Sequence, residues 1–292
     1  MQFKNVLAAL GVATAMGAAS AAHADVVLWI DDVNNNIGTV DLTNHSASKF
    51  IGNAGTDGVL TDIGFTSNGT LYGVNFDNTY VINTTTGHAT FLASNPNNSN
   101  LNALVGVGSN GLYGAANDTH TLYSFNTTTK NWSTLSGSTG GDSSGDLAPG
   151  NGVYYESESD GNADALFKLT VSGNSVSSTK IGDFNINGFT FGLGSVFGLA
   201  DDGTTLYAVD GTTIYSVNTS NAALTELYDY SGKICSGSGR NQTCLGDANG
   251  TAFLNEATGG VPEPATWGLM IVGAGLIGSQ LRRRQSVAGA VA

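Results

Sequence analysis

The side chains able to do chemistry are mostly carboxylates: 23 Asp and Glu stand against ten Lys and Arg, with four His and two Cys. Three Asp are singled out by position, because Asp62, Asp146 and Asp247 each open a strand-like run. Converging carboxylates are hard oxygen donors suited to Ca²⁺. Taken one at a time, each would cap its own turn with a local hydrogen bond, and this second reading is preferred. A helix-loop-helix calcium site is excluded, since no D-x-[DN]-x-[DN]-G loop with its closing Glu occurs. Asp31, Asp32, Asn34, Asn35 and Asn36 read as an acidic turn facing solvent. His45, His88 and His120 fall near turns and read as surface residues. Gly141-Asp-Ser143-Ser-Gly145 fits the nucleophile-elbow pattern, but no helix follows it. It reads as a flexible connection. Gly273-Ala-Gly275-Leu-Ile-Gly278 fits a dinucleotide fingerprint without the preceding strand that such a site needs. With no base and nucleophile constellation, the chain is expected not to be an enzyme, and Ca²⁺ is the one cofactor in view.

Composition narrows the classes. A pI near 4.3 excludes a nucleic-acid partner, which would need a basic footprint. Forty-one Gly disfavour a helix bundle, and 40% hydrophobic residues are too many for a disordered chain.

The two ends read as addresses. Residues 1–24 have a secretory leader's form: Lys4, an apolar run from Val6 to Ala19, and the cleavage site Ala22-His23-Ala24. Signal peptidase would leave Asp25 as the new N-terminus. Near the other end a linker over 259–264 carries Val261-Pro262-Glu263-Pro264. An apolar stretch over 265–281 follows, then Arg282, Arg283 and Arg284 at the start of a basic tail, 282–292. Seventeen residues are short for a transmembrane helix but able to span. The arginines place the tail in the cytoplasm and the body outside, in agreement with the leader.

This C-terminal pattern resembles the PEP-CTERM sorting signal of Gram-negative bacteria. The resemblance covers Val261 to Gln285. It implies a membrane-anchored precursor with its body in the periplasm, cleavage near Pro262-Glu263-Pro264 by exosortase, and release to the cell surface or matrix. It implies nothing about the body's activity.

Between these addresses the chain repeats. Asp62-Ile-Gly-Phe-Thr-Ser-Asn-Gly-Thr-Leu-Tyr-Gly-Val74 is echoed by Ala103 to Ala115, Asp146 to Glu156 and Phe197 to Val209. Each copy is a strand, an Asn-Gly or Asp-Gly turn and a second strand. Second strands recur at Leu28, Leu71, Leu112, Val153 and Leu206, spaced 43, 41, 41 and 53 residues apart. The longer interval predicts an insertion over Phe184 to Gly194. A period near 40 with four strands per unit is a propeller's signature. The fold expected for residues 25–258 is therefore all-β, a five-bladed β-propeller, with an all-β sandwich as the alternative. The first unit begins at its second strand, so Leu245 to Leu254 is expected to supply the missing innermost strand and close the ring. In such a ring Asp62, Asp146 and Asp247 would gather at one mouth. Cys235 and Cys244, exported to an oxidising compartment, are expected to form a disulfide.

From Asp25 to Glu263 the chain keeps all 23 acids and six bases, a net −17. Solubility outside the cell explains this most simply. The function expected is an exported binding or structural module, with extracellular polysaccharide as partner. The alternative is a secreted hydrolase or lyase that uses carboxylates at the propeller mouth.

Overall fold

The computed structural model describes residues 26–254 and residue 256, apart from 191, 193 and 194. The signal cleavage residues Ala22, Ala24 and Asp25 lie outside the described residues. So do the spanning segment over 265–281 and the sorting residues Val261, Pro262, Glu263, Pro264, Arg282, Arg283 and Arg284. Among the described residues no helix is long and apolar enough to cross a membrane.

Five sheets follow one another along the chain, each with a four-stranded antiparallel body, consecutive in sequence in all but the first. This is the five-bladed propeller that the repeat period predicts. The innermost strands are Ala248–Phe253, Asp62–Phe65, Leu101–Val107, Asp142–Pro149 and Val196–Asp201 for blades one to five. Blade one is completed by the chain's far end: Ala248–Phe253 pairs antiparallel with Val27–Asp32, Leu28 opposite Phe253. That pairing closes the ring and removes its two free sheet edges.

The alternation read in the sequence faces each blade towards both neighbours. Five apolar clusters result, one at each blade interface. Leu28, Ile30, Val209 and Tyr230 join blades five and one, and Ile37, Ile63, Phe65 and Leu71 join one and two. Val74, Leu104, Leu112 and Phe125 join two and three. Val105, Leu122, Leu147 and Leu169 join three and four, and Leu166, Phe184, Leu199 and Leu206 join four and five. Around the axis the backbones close in further. An ideal Cβ on Gly106 would stand 1.6 Å from the Phe65 carbonyl oxygen, so only glycine lets blades two and three meet there.

Three details differ from the sequence reading. The second strand of blade four begins at Tyr154, and Val153 lies in the turn before it, because Pro149 pairs with Tyr154 across four residues where Phe65 pairs with Leu71 across five. The Gly141 to Gly145 segment is no flexible connection, since Asp142 to Gly145 belong to the innermost strand of blade four, with Ser143 and Ser144 buried. The extra length between blades four and five is partly a small hairpin, Asn185–Ile186 with Phe189–Thr190, laid along the outer strand of blade five.

Cys235 and Cys244 face each other across a two-stranded ribbon and are disulfide-bonded. The ribbon precedes the closing strand, and the Leu245 amide donates to the Ile234 carbonyl at 2.9 Å. Since no blade strand passes through this ribbon, reduction should leave the propeller's circular dichroism intact. It should lower unfolding stability by about 2–3 kcal/mol, measurable by denaturant titration with and without reductant.

Candidate functional site

All five innermost strands start at the same mouth of the propeller. Their first residues form successive layers down the axis. The outermost layer is Thr61, Asn102, Gly145, Phe197 and Asn249, one residue per blade, and it floors a funnel of about 610 Å³. Exposed Val33, Val59 and Phe76 form an apolar rim above it. The Asn102 Nδ2 donates to the Ser143 carbonyl at 2.9 Å. Its Oδ1 is buried without a partner.

The next layer is Asp62, Ala103, Asp146, Gly198 and Gly250. The two Asp are fully buried. The layer beneath them presents one axis-facing backbone N–H per blade, and these five donors share the two carboxyl groups. Asp62 accepts from Ile63 at 2.6 Å and from Leu104. Asp146 accepts from Leu147 and Leu199, each at 2.6 Å, and from Thr251 at 2.9 Å, with the Thr251 hydroxyl adding another bond at 2.9 Å. Each Asp thus caps its own strand, as the local reading expects. Each also ties that strand to the next blade, and Asp146 reaches on to blade one.

Burial pushes both carboxyls well above the usual range, and their mutual hydrogen bond raises Asp62 while lowering Asp146. Asp31, from the second strand of blade one, joins them. Burial and the nearby Asp146 and Asp32 charges push it up, and neither of its oxygens has a partner. Gly250 makes room for this meeting, because a Cβ there would lie 2.1 Å from the Asp62 Oδ1 and 2.8 Å from the Asp31 Oδ1.

Asp247 is not part of the cluster. It is exposed one residue before the closing strand, and its field is felt at Asp210 and Tyr230. Asp31 takes its place. The turn that contains Asp31 is also not solvated. Asp31 and Asp32 are fully buried, and Asp32 accepts from the Asn34, Asn36 and Gly246 amides. The donor set does not fit Ca²⁺. The oxygens of Asp62 and Asp146 are committed to backbone amides and a shared proton. Among the described residues no group of three or more His, Cys, Asp or Glu is arranged to hold a metal ion. Asp31 was detectable in principle, since it occupies the repeat position held by Val74 and Val209 in other blades.

A second carboxyl pair lies in blade four. Glu156 and Glu158 sit two residues apart on one strand face, both fully buried. Burial pushes Glu156 up to about 8. Burial, then the Glu156 charge, pushes Glu158 to about 11, against the bond that it accepts from the Gly141 amide. The signal for this pair is Glu156 itself, which stands where the repeat has Gly73, Gly114 and Ala208.

At the opposite mouth Asp201 and Glu256 line one polar groove of about 800 Å³. Burial raises Asp201 to about 6. Burial, reinforced by Asp146, lifts Glu256 well above its ordinary value, and its Oε1 has no partner. No feature of the sequence marked Glu256.

With the body described, its tail can be compared with known proteins. Residues 260–284 match the PEP-CTERM protein-sorting motif. The chain carries a PEP-CTERM sorting motif. This motif implies export, a membrane-anchored precursor and exosortase processing. No curated protein matches the chain. A solved structure described as "The de novo evolutionary emergence of a symmetrical protein is shaped by folding constraints" is similar at TM-score 0.45 and 18% identity, over 69% of this chain and 92% of that one. The PEP-CTERM motif lies in sequence wholly beyond the closing strand.

Two measurements test the axial and blade-four carboxyls. Asp146→Ala, which strands three buried amides, should cost about 3–5 kcal/mol in urea unfolding, and Asp62→Ala, which strands two, should cost less. The folded values of Glu156 and Glu158 lie above the ordinary 4.5, so the folded state holds extra protons from there upward. Stability is then greatest on the acid side and falls as pH rises through about 8, by at most roughly 1.4 kcal/mol per pH unit for each group. Glu156→Gln should flatten that fall in urea midpoints followed across this range.

Proposed function

We propose that the chain is an exported surface or matrix protein, delivered by its leader and its PEP-CTERM signal, whose propeller is a non-enzymatic carbohydrate-binding module. Signal peptidase and exosortase are the processing partners in this reading. The floor of the funnel carries it. One layer sets Phe197 beside Asn102 and Asn249, with Phe76 on the rim. Sugars are bound by this combination, an apolar ring face for the C–H side and fixed amides for the hydroxyls. The Asn102 Nδ2 is held by the Ser143 carbonyl, which fixes this amide in the floor of the funnel. A net −17 from Asp25 to Glu263 disfavours polyanionic glycans, so the ligand class is a neutral or amino-sugar polysaccharide.

A glycan array with the processed protein, followed by titration calorimetry, tests this. Phe76→Ala and Asn102→Ala should each weaken binding about tenfold, which is about 1.4 kcal/mol. Undiminished binding in both variants would place the ligand elsewhere.

The secreted hydrolase or lyase remains the second reading, for one observation. Asp201 and Glu256 pair a carboxyl raised to about 6 with one that burial raises well above the ordinary range in a single groove, a pairing suited to general acid–base work. Turnover of any glycan or ester that is lost in Glu256→Gln and kept in Phe76→Ala would favour it.

A further inference from the structure

Both ends of the body leave from one mouth. The chain enters blade one at Val26 and Val27, and Leu28 pairs with Phe253, the last residue of the closing strand. Beyond Phe253 the chain turns across the axis, and Glu256 is buried among the ends of the innermost strands of blades three, four and five, beside Gly106, Pro149 and Asp201. The funnel opens at the far end of the same strands. Six residues of innermost strand, roughly 20 Å, separate the two mouths.

Only eight residues, 257–264, lie between Glu256 and the apolar stretch that starts at Ala265. Eight residues reach at most about 28 Å. A propeller hung on so short a tether from one mouth cannot present that mouth freely.

We infer that the membrane-anchored precursor is held with its Glu256 mouth against the bilayer and its funnel facing away. The inference rests on the anchored precursor proposed above. The Asp201 and Glu256 groove is then closed to macromolecules before cleavage and opened by it. The funnel is accessible throughout, so its ligand is met both before and after release. Cleavage near Pro262 thus changes which face of the protein is available as well as where the protein resides.

Single cysteines at the two mouths test this in the full-length chain. Asp77→Cys marks the funnel and Asn151→Cys the groove. Both positions are exposed, and the native cysteines are protected by their disulfide. Spheroplasts of exosortase-deficient cells would be treated with a bulky maleimide–polyethylene glycol, and labelling rates compared with those after detergent solubilisation. The expected result is equal rates at the two sites in detergent and a several-fold slower rate at Asn151→Cys alone on the membrane. Equal rates on the membrane would overturn the orientation. A precursor absent from the membrane fraction would overturn the anchored reading itself, and the orientation with it.

Discussion

Where five strands converge on an axis, each brings a backbone N–H that no ladder partner can take. Left bare in the interior, each would cost about as much as a broken hydrogen bond, and five together would exceed what a domain of this size can spare. Water or polar side chains must answer them. Here two carboxyl groups do so, Asp62 for two donors and Asp146 for three. The division explains why the repeat carries Asp in only two of five blades. A third Asp on an innermost strand would find no donor left to satisfy, and Asp31, which reaches this level from the second strand of blade one, has no partner for either oxygen. Gly198 and Gly250 occupy two of the equivalent positions, and Gly250 is where a side chain would strike Asp62 and Asp31.

The same arrangement accounts for much of the remaining chemistry. Holding Asp62 and Asp146 close forces a shared proton, and Asp31 is drawn into the same low-dielectric space, where its ionised form is disfavoured. Buried acids recur as Glu156 with Glu158 and as Glu256, so much of the acidity counted in the composition is hidden from solvent. A net charge of −17 from Asp25 to Glu263 is therefore a formal figure, and the exposed acids carry less of it than the count suggests. The funnel and the groove lie on either side of this protonated layer. The axis is a plugged core between two separate sites.

Blade count, strand pairing and ring closure were all legible in the sequence, because the repeat fixes the strand order and each Asn-Gly or Asp-Gly turn fixes a hairpin. The disulfide was legible from compartment and spacing. Asp62 and Asp146 were legible as a pair at the axis, but their job was not. A carboxylate's partners here are backbone amides of other blades, and no side-chain pattern records where those amides point. Asp247 was misplaced because it stands one residue before its strand, enough to move it from the axis to the surface. Asp31 was misread because a cluster of Asp and Asn looks like a solvated turn, and only its register against Gly250 buries it. Glu256 had no signal, since it follows the last repeat and acts through tertiary position alone.

Ring closure by the last strand also sets an order of events during export. The chain crosses the membrane from its N-terminus, and blade one waits with three strands until Ala248–Phe253 arrives. Contacts between residues 28 and 253 are about as distant in sequence as this body permits, and contacts of that kind form late. Until they form, the second strand of blade one offers an unpaired edge to any neighbouring chain. The apolar stretch at 265 follows the closing strand by a dozen residues. The sorting motif therefore follows directly on the strand that seals the edge. Completion of the fold comes immediately before the motif in chain order, which leaves little chain to be made while a half-closed ring could aggregate.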